Sequence, residues 1–229
     1  STNIVTSEGF NSMHEGLTNF LDLNSGFDPQ DTGQFSIDVW VRPERNTRPD
    51  RPTQFDKDRG FRGIQFNNGE VSKGNTVLCL SGRPNDYTQN TGSVWFQLPY
   101  CDGANFFSSK SIADDEWSHI TCTFDGLIKK IYINGKIDVA ATMSLQTISD
   151  AGGSGLWGGG LPGQLVPKFV TIEIGDMNPS WPTTTGTNLG FEGKIDCYKF
   201  YNVALTKDEV SHNHNVHKKR YDNANRQGI

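Results

Sequence analysis

The chain has 229 residues and a net charge of -5, with only 34% hydrophobic residues but 11% aromatic ones, 25 Gly and 10 Pro. The mild negative charge excludes a global phosphate-binding footprint, and no run of about 18 apolar residues is available to span a bilayer. Many aromatics and turn formers beside few aliphatics suit short strands joined by loops rather than helices or disorder.

The first 18 residues have neither a basic flank nor an apolar core, so they read as an N-terminal arm and not as a signal peptide. NFLDL (19–23) is the first strand candidate. In FSIDVWV (35–41), Phe35, Ile37, Val39 and Val41 share one face while Asp38 and Trp40 share the other. The segment 43–60 is rich in Arg, Asp and Pro; its acids nearly balance its bases, which fits a mixed-charge surface or a salt-bridged contact in a homo-oligomer better than a phosphate track. GIQF (63–66) and TVLCL (76–80) follow as strands. SVWFQL (93–98) again alternates, with Val94, Phe96 and Leu98 opposed to Trp95 and Gln97. HITCTF (119–124) and IKKIYIN (128–134) are separated by Asp125-Gly126, and Asn134-Gly135 follows; both dipeptides suit tight hairpin turns that need positive φ.

The segment 149–164 is a Gly-rich loop carrying Trp157, and KFVTIEI (168–174) and KIDCYKFY (194–201) complete about ten strands. Strands with one buried face each imply two packed antiparallel sheets. Thr206 then starts the one expected helix, with Glu209 three residues on completing a capping box. That helix is expected to run to about Arg220, with Val210 and Val216 as apolar anchors and Lys218, Lys219 and Arg220 in a last turn that complements the macrodipole. Residues 221–229 read as a loose polar tail. Cys79, Cys101, Cys122 and Cys197 are widely spaced with no CxxC, which argues against a cysteine zinc site. Free buried thiols are expected, with two disulfides of three alternative connectivities as the other outcome.

Several segments together resemble the laminin-G-like, concanavalin A-like family. EWSHITCTFDGLIKKIYINGKID (116–138) is similar to its Trp-x-His strand, Asp-Gly turn and Tyr-x-Asn-Gly hairpin. IEIGDM (172–177) and GFEGKIDCYKFYNVALTKDEV (190–210) are similar to its closing segment, and FSIDVWVRPE (35–44) to an early strand. The resemblance implies an all-β fold: a two-sheet antiparallel jelly-roll sandwich, concanavalin A-like, over residues 19–205, with a short C-terminal helix at 206–220. DEVSHNHNVHKKRYDN (208–223) resembles the termini of such domains in phage and large-virus structural proteins. That implies capsid or other virion partners, in the virion or host cytoplasm; the alternative is an extracellular module whose signal peptide has been removed.

Glycosidases on this architecture need two carboxylates flanking a sugar on a rigid floor, and the laminarinase-like Glu-x-Asp-x-(x)-Glu pattern is absent. The expectation is therefore not an enzyme but a binding or assembly domain for a glycan or protein partner, with no nucleic acid and no membrane insertion. A hydrolase or lyase, and a secreted calcium-dependent adhesion module, are the alternatives. Asp38 with Trp40, and Trp95 with Gln97, are candidates for a sugar platform, where a ring stacks on C–H groups and polar neighbours fix hydroxyls. Tyr87, Tyr100 and Asp102 in loops, and Trp157 and Trp181 in Gly- or Pro-rich loops, are further candidates; packing is the competing role for each tryptophan. No cofactor is required. By resemblance, one structural calcium ion would sit on Asp196, with Asp22 approaching it. The helix histidines His212, His214 and His217 lie among Asn and Lys and suit a solvated or interfacial helix end more than a metal site.

Overall fold

The computed structural model describes residues 4–7, 10–12, 19–22, 34–44, 61–67, 77–81, 92–97, 106–142, 171–174, 189–191 and 193–228. In chain order the strands are β1 (Ile4–Ser7), β2 (Phe10–Ser12), β3 (Asn19–Asp22), β4 (Phe35–Pro43), β5 (Phe61–Asn67), β6 (Val77–Ser81) and β7 (Ser93–Gln97). They continue with β8 (Phe107–Ser111), β9 (Ser118–Phe124), β10 (Ile128–Ile133), β11 (Lys136–Thr142), β12 (Thr171–Ile174), β13 (Leu189–Gly190) and β14 (Gly193–Tyr201). One helix, α1 (Lys207–Gln227), follows.

These strands form two seven-stranded sheets. Sheet A runs β1-β14-β4-β9-β10-β11, with β2 also pairing β14; sheet B runs β3-β12-β5-β6-β7-β8, with β13 also pairing β5. Every pairing is antiparallel except β13 with β5. The sandwich expected from alternation is present, and Phe35, Ile37, Val39, Val41, Val94, Phe96, Ile131 and Ile133 point into its core as expected. Phe35, Ile37, Val39 and Val41 from sheet A meet Ile64, Leu78, Leu80, Val94 and Phe96 from sheet B in one core. Phe35 is a hub of that core: it stacks on Phe200 at 5.6 Å and 5°, and meets Phe96 of the opposite sheet edge-on at 6.0 Å and 73°. Offset and edge-on contacts of this kind add to simple area burial.

Both turn dipeptides behave as their chemistry requires. Gly126, Asn134 and Gly135 have φ of 92°, 51° and 74°. Asp125 Oδ1 accepts from the Leu127 and Ile128 amides, which holds the first turn closed. Four differences from the sequence expectation stand out. The stretch expected as an N-terminal arm contributes β1 and β2 to sheet A, along β14. β8, β11 and β13 are additional strands. The helix extends seven residues past Arg220, so the residues expected as a loose tail are largely its last turns. Arg226 lies in that last turn, while Lys218 pairs with Asp222 and Arg220 with Asp196. Cys122 and Cys197 are free and buried; Cys101 and the side chain of Cys79 lie outside the described residues. No described helix is long and apolar enough to cross a membrane.

β11 and β8 end the two sheet paths, and unpaired strand edges are open to wrong pairing. Asp138 joins them. It is the extra residue of a bulge, since Ile131 faces Val139 while Tyr132 faces Ile137. Its Oδ2 accepts from the Ser109 and Lys110 amides at 2.6 and 3.3 Å, and its Oδ1 from the Ser109 hydroxyl at 2.7 Å. A carboxylate taking three donors is a strong acceptor site. Asp138→Ala should therefore cost about 2 kcal/mol, read from the midpoint of urea unfolding, and should raise the light-scattering signal of concentrated samples as the β8 edge is freed.

Candidate functional site

Alternation along the central strands of sheet A sends a polar and aromatic set to the face away from the core. β4 supplies Ser36, Asp38, Trp40 and Arg42; β9 supplies His119 and Thr121; β14 supplies Asp196 and Tyr201, opposite Trp40 and Ser36. α1 crosses this face over β9 and β11. Its start is fixed twice. Thr206 accepts from the Glu209 amide while the Glu209 carboxylate accepts from the Thr206 amide. In the connection before it, the Ser36 hydroxyl donates to Val203 O and accepts from the Leu205 amide, both at 2.8 Å. Val210 then packs with Leu205, Tyr132 and Tyr201. Val216, the other expected anchor, points outward and is 59% exposed.

Asp38 lies at the centre beneath the helix and is 1% exposed. Its Oδ1 meets His119 Nε2 at 3.1 Å; its Oδ2 accepts from the Thr121 hydroxyl at 3.0 Å and from Asn213 Nδ2 of α1 at 3.2 Å. Asn213 also donates to the Tyr201 hydroxyl at 2.9 Å. Burial alone would raise the Asp38 pKa, but the His119 charge, hydrogen bonds from His119 and Asn213, and the Lys199 charge outweigh it and hold the carboxyl below its ordinary value. Burial and the Asp38 charge push Tyr201 up to about 12.

Beside this network is an aromatic stack. Trp40 lies against Tyr221 of α1 at 4.0 Å and 20°, against His214 of α1 at 5.5 Å and 14°, and beside His119 at 5.1 Å. Trp117 flanks Tyr221 at 4.8 Å. The Tyr221 hydroxyl donates to Cys197 Sγ at 3.3 Å, and Cys197 occupies the β14 bulge with φ 49°. The Asn225 amide clamps the Trp117 backbone, accepting from its N–H at 2.6 Å and donating to its carbonyl at 3.2 Å. Gly135 is required where the β10–β11 turn meets the helix: a Cβ there would lie 2.9 Å from His214. Thus Val210, Asn213, His214, Tyr221 and Asn225 all face the sheet at helical spacing.

This geometry revises the expected platform. Asp38 and Trp40 do not line an open groove, because α1 covers them. Trp95 does not join them either. It belongs to sheet B, on the far side of the core, 6% exposed and stacked on Phe107 at 5.8 Å and 14°. Gln97 is in β7, but its side chain lies outside the described residues, as do Tyr87, Tyr100, Asp102, Trp157 and Trp181. The calcium site also fits poorly. Asp196 Oδ2 accepts from Arg220 at 2.7 Å and Oδ1 from the Cys197 amide at 2.7 Å. A guanidinium beside that carboxylate disfavours a cation. Asp22 is in β3 of the other sheet, paired with Thr171. Among the described residues no cluster of three His, Cys, Asp or Glu is placed to hold a metal ion.

The Asp38–His119 pair has the make-up of an acid–base relay but not its access. His119 is fully buried, its Nδ1 has no partner among the described residues, and the neighbouring Thr121 hydroxyl is spent on Asp38. Burial raises both described thiols, Cys122 and Cys197, so neither is an activated nucleophile. An open cleft of about 480 Å³ lies beside the first turns of α1, lined by Tyr201, Val203, Leu205, Asp208, Glu209, His212 and Asn213.

The sequence model of Laminin_G_3, described as the concanavalin A-like lectin/glucanases superfamily, matches residues 16–172. No curated protein matches the sequence. Among solved structures, the CBM40 of the Ruminococcus gnavus IT-sialidase, bound to α2,3 sialyllactose, is similar with a TM-score of 0.53 at 14% identity, over 91% of this chain and 97% of that one. The receptor binding domain of botulinum neurotoxin D is similar with a TM-score of 0.53 at 12% identity, over 93% of this chain. The binding domain of botulinum neurotoxin DC, in complex with rat synaptotagmin II, is similar with a TM-score of 0.53 at 11% identity, over 94% of this chain. This chain spans 47% and 46% of those two toxin domains. At such identities the likeness is one of fold.

Proposed function

Because this chain belongs to the concanavalin A-like lectin/glucanases superfamily, we propose that it is a glycan-binding domain without catalytic activity. The observation that carries this is the use to which the described sheet acids are put. Asp38 is held by His119, Thr121 and Asn213, Asp138 by three donors of β8, and Asp196 by Arg220. A glycosidase needs two carboxyl groups about 5 Å apart, or about 6.5–9.5 Å apart with a water between, and both must face the sugar. Acids tied into their own chain do not supply that pair.

With the outer face of sheet A covered by α1, the aromatic candidates for stacking on a glycan are Trp157 and Trp181, which the sequence sets in Gly- or Pro-rich segments. The segment 208–223 that resembles virion termini lies within α1, and its Asn213, His214 and Tyr221 serve the packing above; the glycan-binding role does not depend on that likeness. The test is a glycan array on the whole chain, paired with a reducing-end assay over a polysaccharide panel. Saturable binding to a glycan class without turnover is expected, and Trp157→Ala or Trp181→Ala should weaken it about tenfold, the worth of one stacked ring. Release of reducing ends, or an array with no bound glycan, overturns the proposal.

A further inference from the structure

α1 is an unusual cover for a sheet face. Only Val210 and Tyr221 are buried along its 21 residues, and the remainder of its docking face is polar: Asn213 on Asp38, His214 on Trp40, Asn225 on Trp117. A segment held by few apolar contacts can open locally while the rest of the fold persists. Its start is pinned by the capping box and by Ser36, whereas the stretch from His214 onward is held to the sheet through His214, Arg220, Tyr221 and Asn225 and is the part a change at His214 can release.

The surroundings of His214 make that stretch sensitive to acid. From β9, the His119 ring faces it at 5.6 Å, with Asp38 of β4 bonded to the far side of His119. From β4, Trp40 lies flat against it. The β10–β11 turn closes on it through Gly135, and Lys136 flanks that turn. On its own helix Lys218 disfavours a charge at His214, whereas Asn215 and Asp222 favour one. Among the described residues His119 Nδ1 is buried without a partner, so no carboxylate lies against the inner side of this pair to favour a charge on His214.

We propose that α1 is an acid-sensitive latch, in which protonation of His214 releases the C-terminal part of the helix from sheet A and uncovers the face carrying Trp40 and Trp117. This goes beyond glycan binding and does not rest on it. Burial first, then the charges of His119 and Lys218, hold the docked His214 below its ordinary 6.5. The undocked residue returns to that ordinary value and takes up protons sooner, so docking is favoured above about pH 6.5 and weakens as pH falls below it. Asp38, whose own value is lowered, keeps its charge through the same window.

The test is hydrogen–deuterium exchange by mass spectrometry on the whole chain at pH 7.5 and 5.5, corrected for intrinsic exchange rates. Protection in 214–227 should fall at least tenfold more than protection in β9 and β14. His214→Phe keeps a flat ring against Trp40 and cannot titrate, so its helix should stay protected at pH 5.5. Far-UV circular dichroism at pH 7.5 checks that the variant is folded; if it is not, His214→Gln replaces it with the same expected loss of pH response. Equal loss of protection in strands and helix, no loss at all, or an unchanged acid response in the folded variant overturns the latch.

Discussion

Asp38→Ala should destabilise the protein by about 3–5 kcal/mol, the usual cost of removing one partner from a buried charged network. The substitution strands three donors at once: His119, Thr121 and Asn213 lose their common acceptor beneath a closed helix. For a chain of this length, that loss corresponds to a fall in melting temperature of about 10 °C. Asp38→Asn keeps the shape and some of the hydrogen bonds, so about half that loss is expected. The two variants also separate in acid. Because the folded carboxyl sits below its ordinary 3.8, the unfolded chain binds a proton there first. The contribution of Asp38 is complete above the ordinary value and is lost as pH falls through the lowered one. Urea unfolding of the native chain should therefore weaken steeply below about pH 4, with a shallower slope for Asp38→Asn. Equal slopes would show that Asp38 is not the group responsible.

The second large effect is expected from Tyr221→Ala. Its ring fills the space between Trp40 and Trp117, and deleting a buried aromatic costs about 3–5 kcal/mol. Here the helix can leave without the sandwich unfolding, so the loss should register first as local opening. Exchange in 214–227 should accelerate about a hundredfold or more while β4 and β9 remain protected; 2.8 kcal/mol of local stability is enough for two decades. Tryptophan emission should shift to the red as Trp40 meets water. Tyr221→Phe preserves the stack and removes the hydroxyl's contacts with Cys197 and Asp196, and should cost about 1 kcal/mol. If Tyr221→Ala instead melted strands and helix together, α1 would be an integral part of the sandwich rather than a cover.

The fold was legible because alternation is a strong signal when one face of a strand is buried. Phe35, Ile37, Val39 and Val41 declare their side without any partner being known. The same pattern placed Asp38 and Trp40 correctly on the other face, but it does not say what lies on that face. The covering element is polar: Asn213, His214, Tyr221 and Asn225 form a helical stripe only when hydrogen-bonding and stacking groups count as docking residues alongside apolar ones. Ranking by hydrophobicity selected Val216, which is exposed, and ended the helix at Arg220, one residue before Tyr221. The placement of Asp22 relative to Asp196 was hidden for a different reason. Sequence position does not report which sheet a strand joins, and β3 and β14 lie in different ones.

The place of β14 in sheet A has a consequence for how the chain is made. It lies between β1 and β4, with Ile4 opposite Tyr201 and Val41 opposite Ile195. Strands drawn from the two extremes of the described chain are thus neighbours at one end of sheet A, with β14 interior to it. Among the described strands, β1 has no partner during synthesis until β14 has left the ribosome, and β4 has only β9. Pairings this distant in sequence put the domain among slow folders, and the half-made sheet exposes strand edges meanwhile. A nascent chain halted before residue 193 would lack an interior strand rather than an edge one, which makes it a natural client for chaperones that shield such edges.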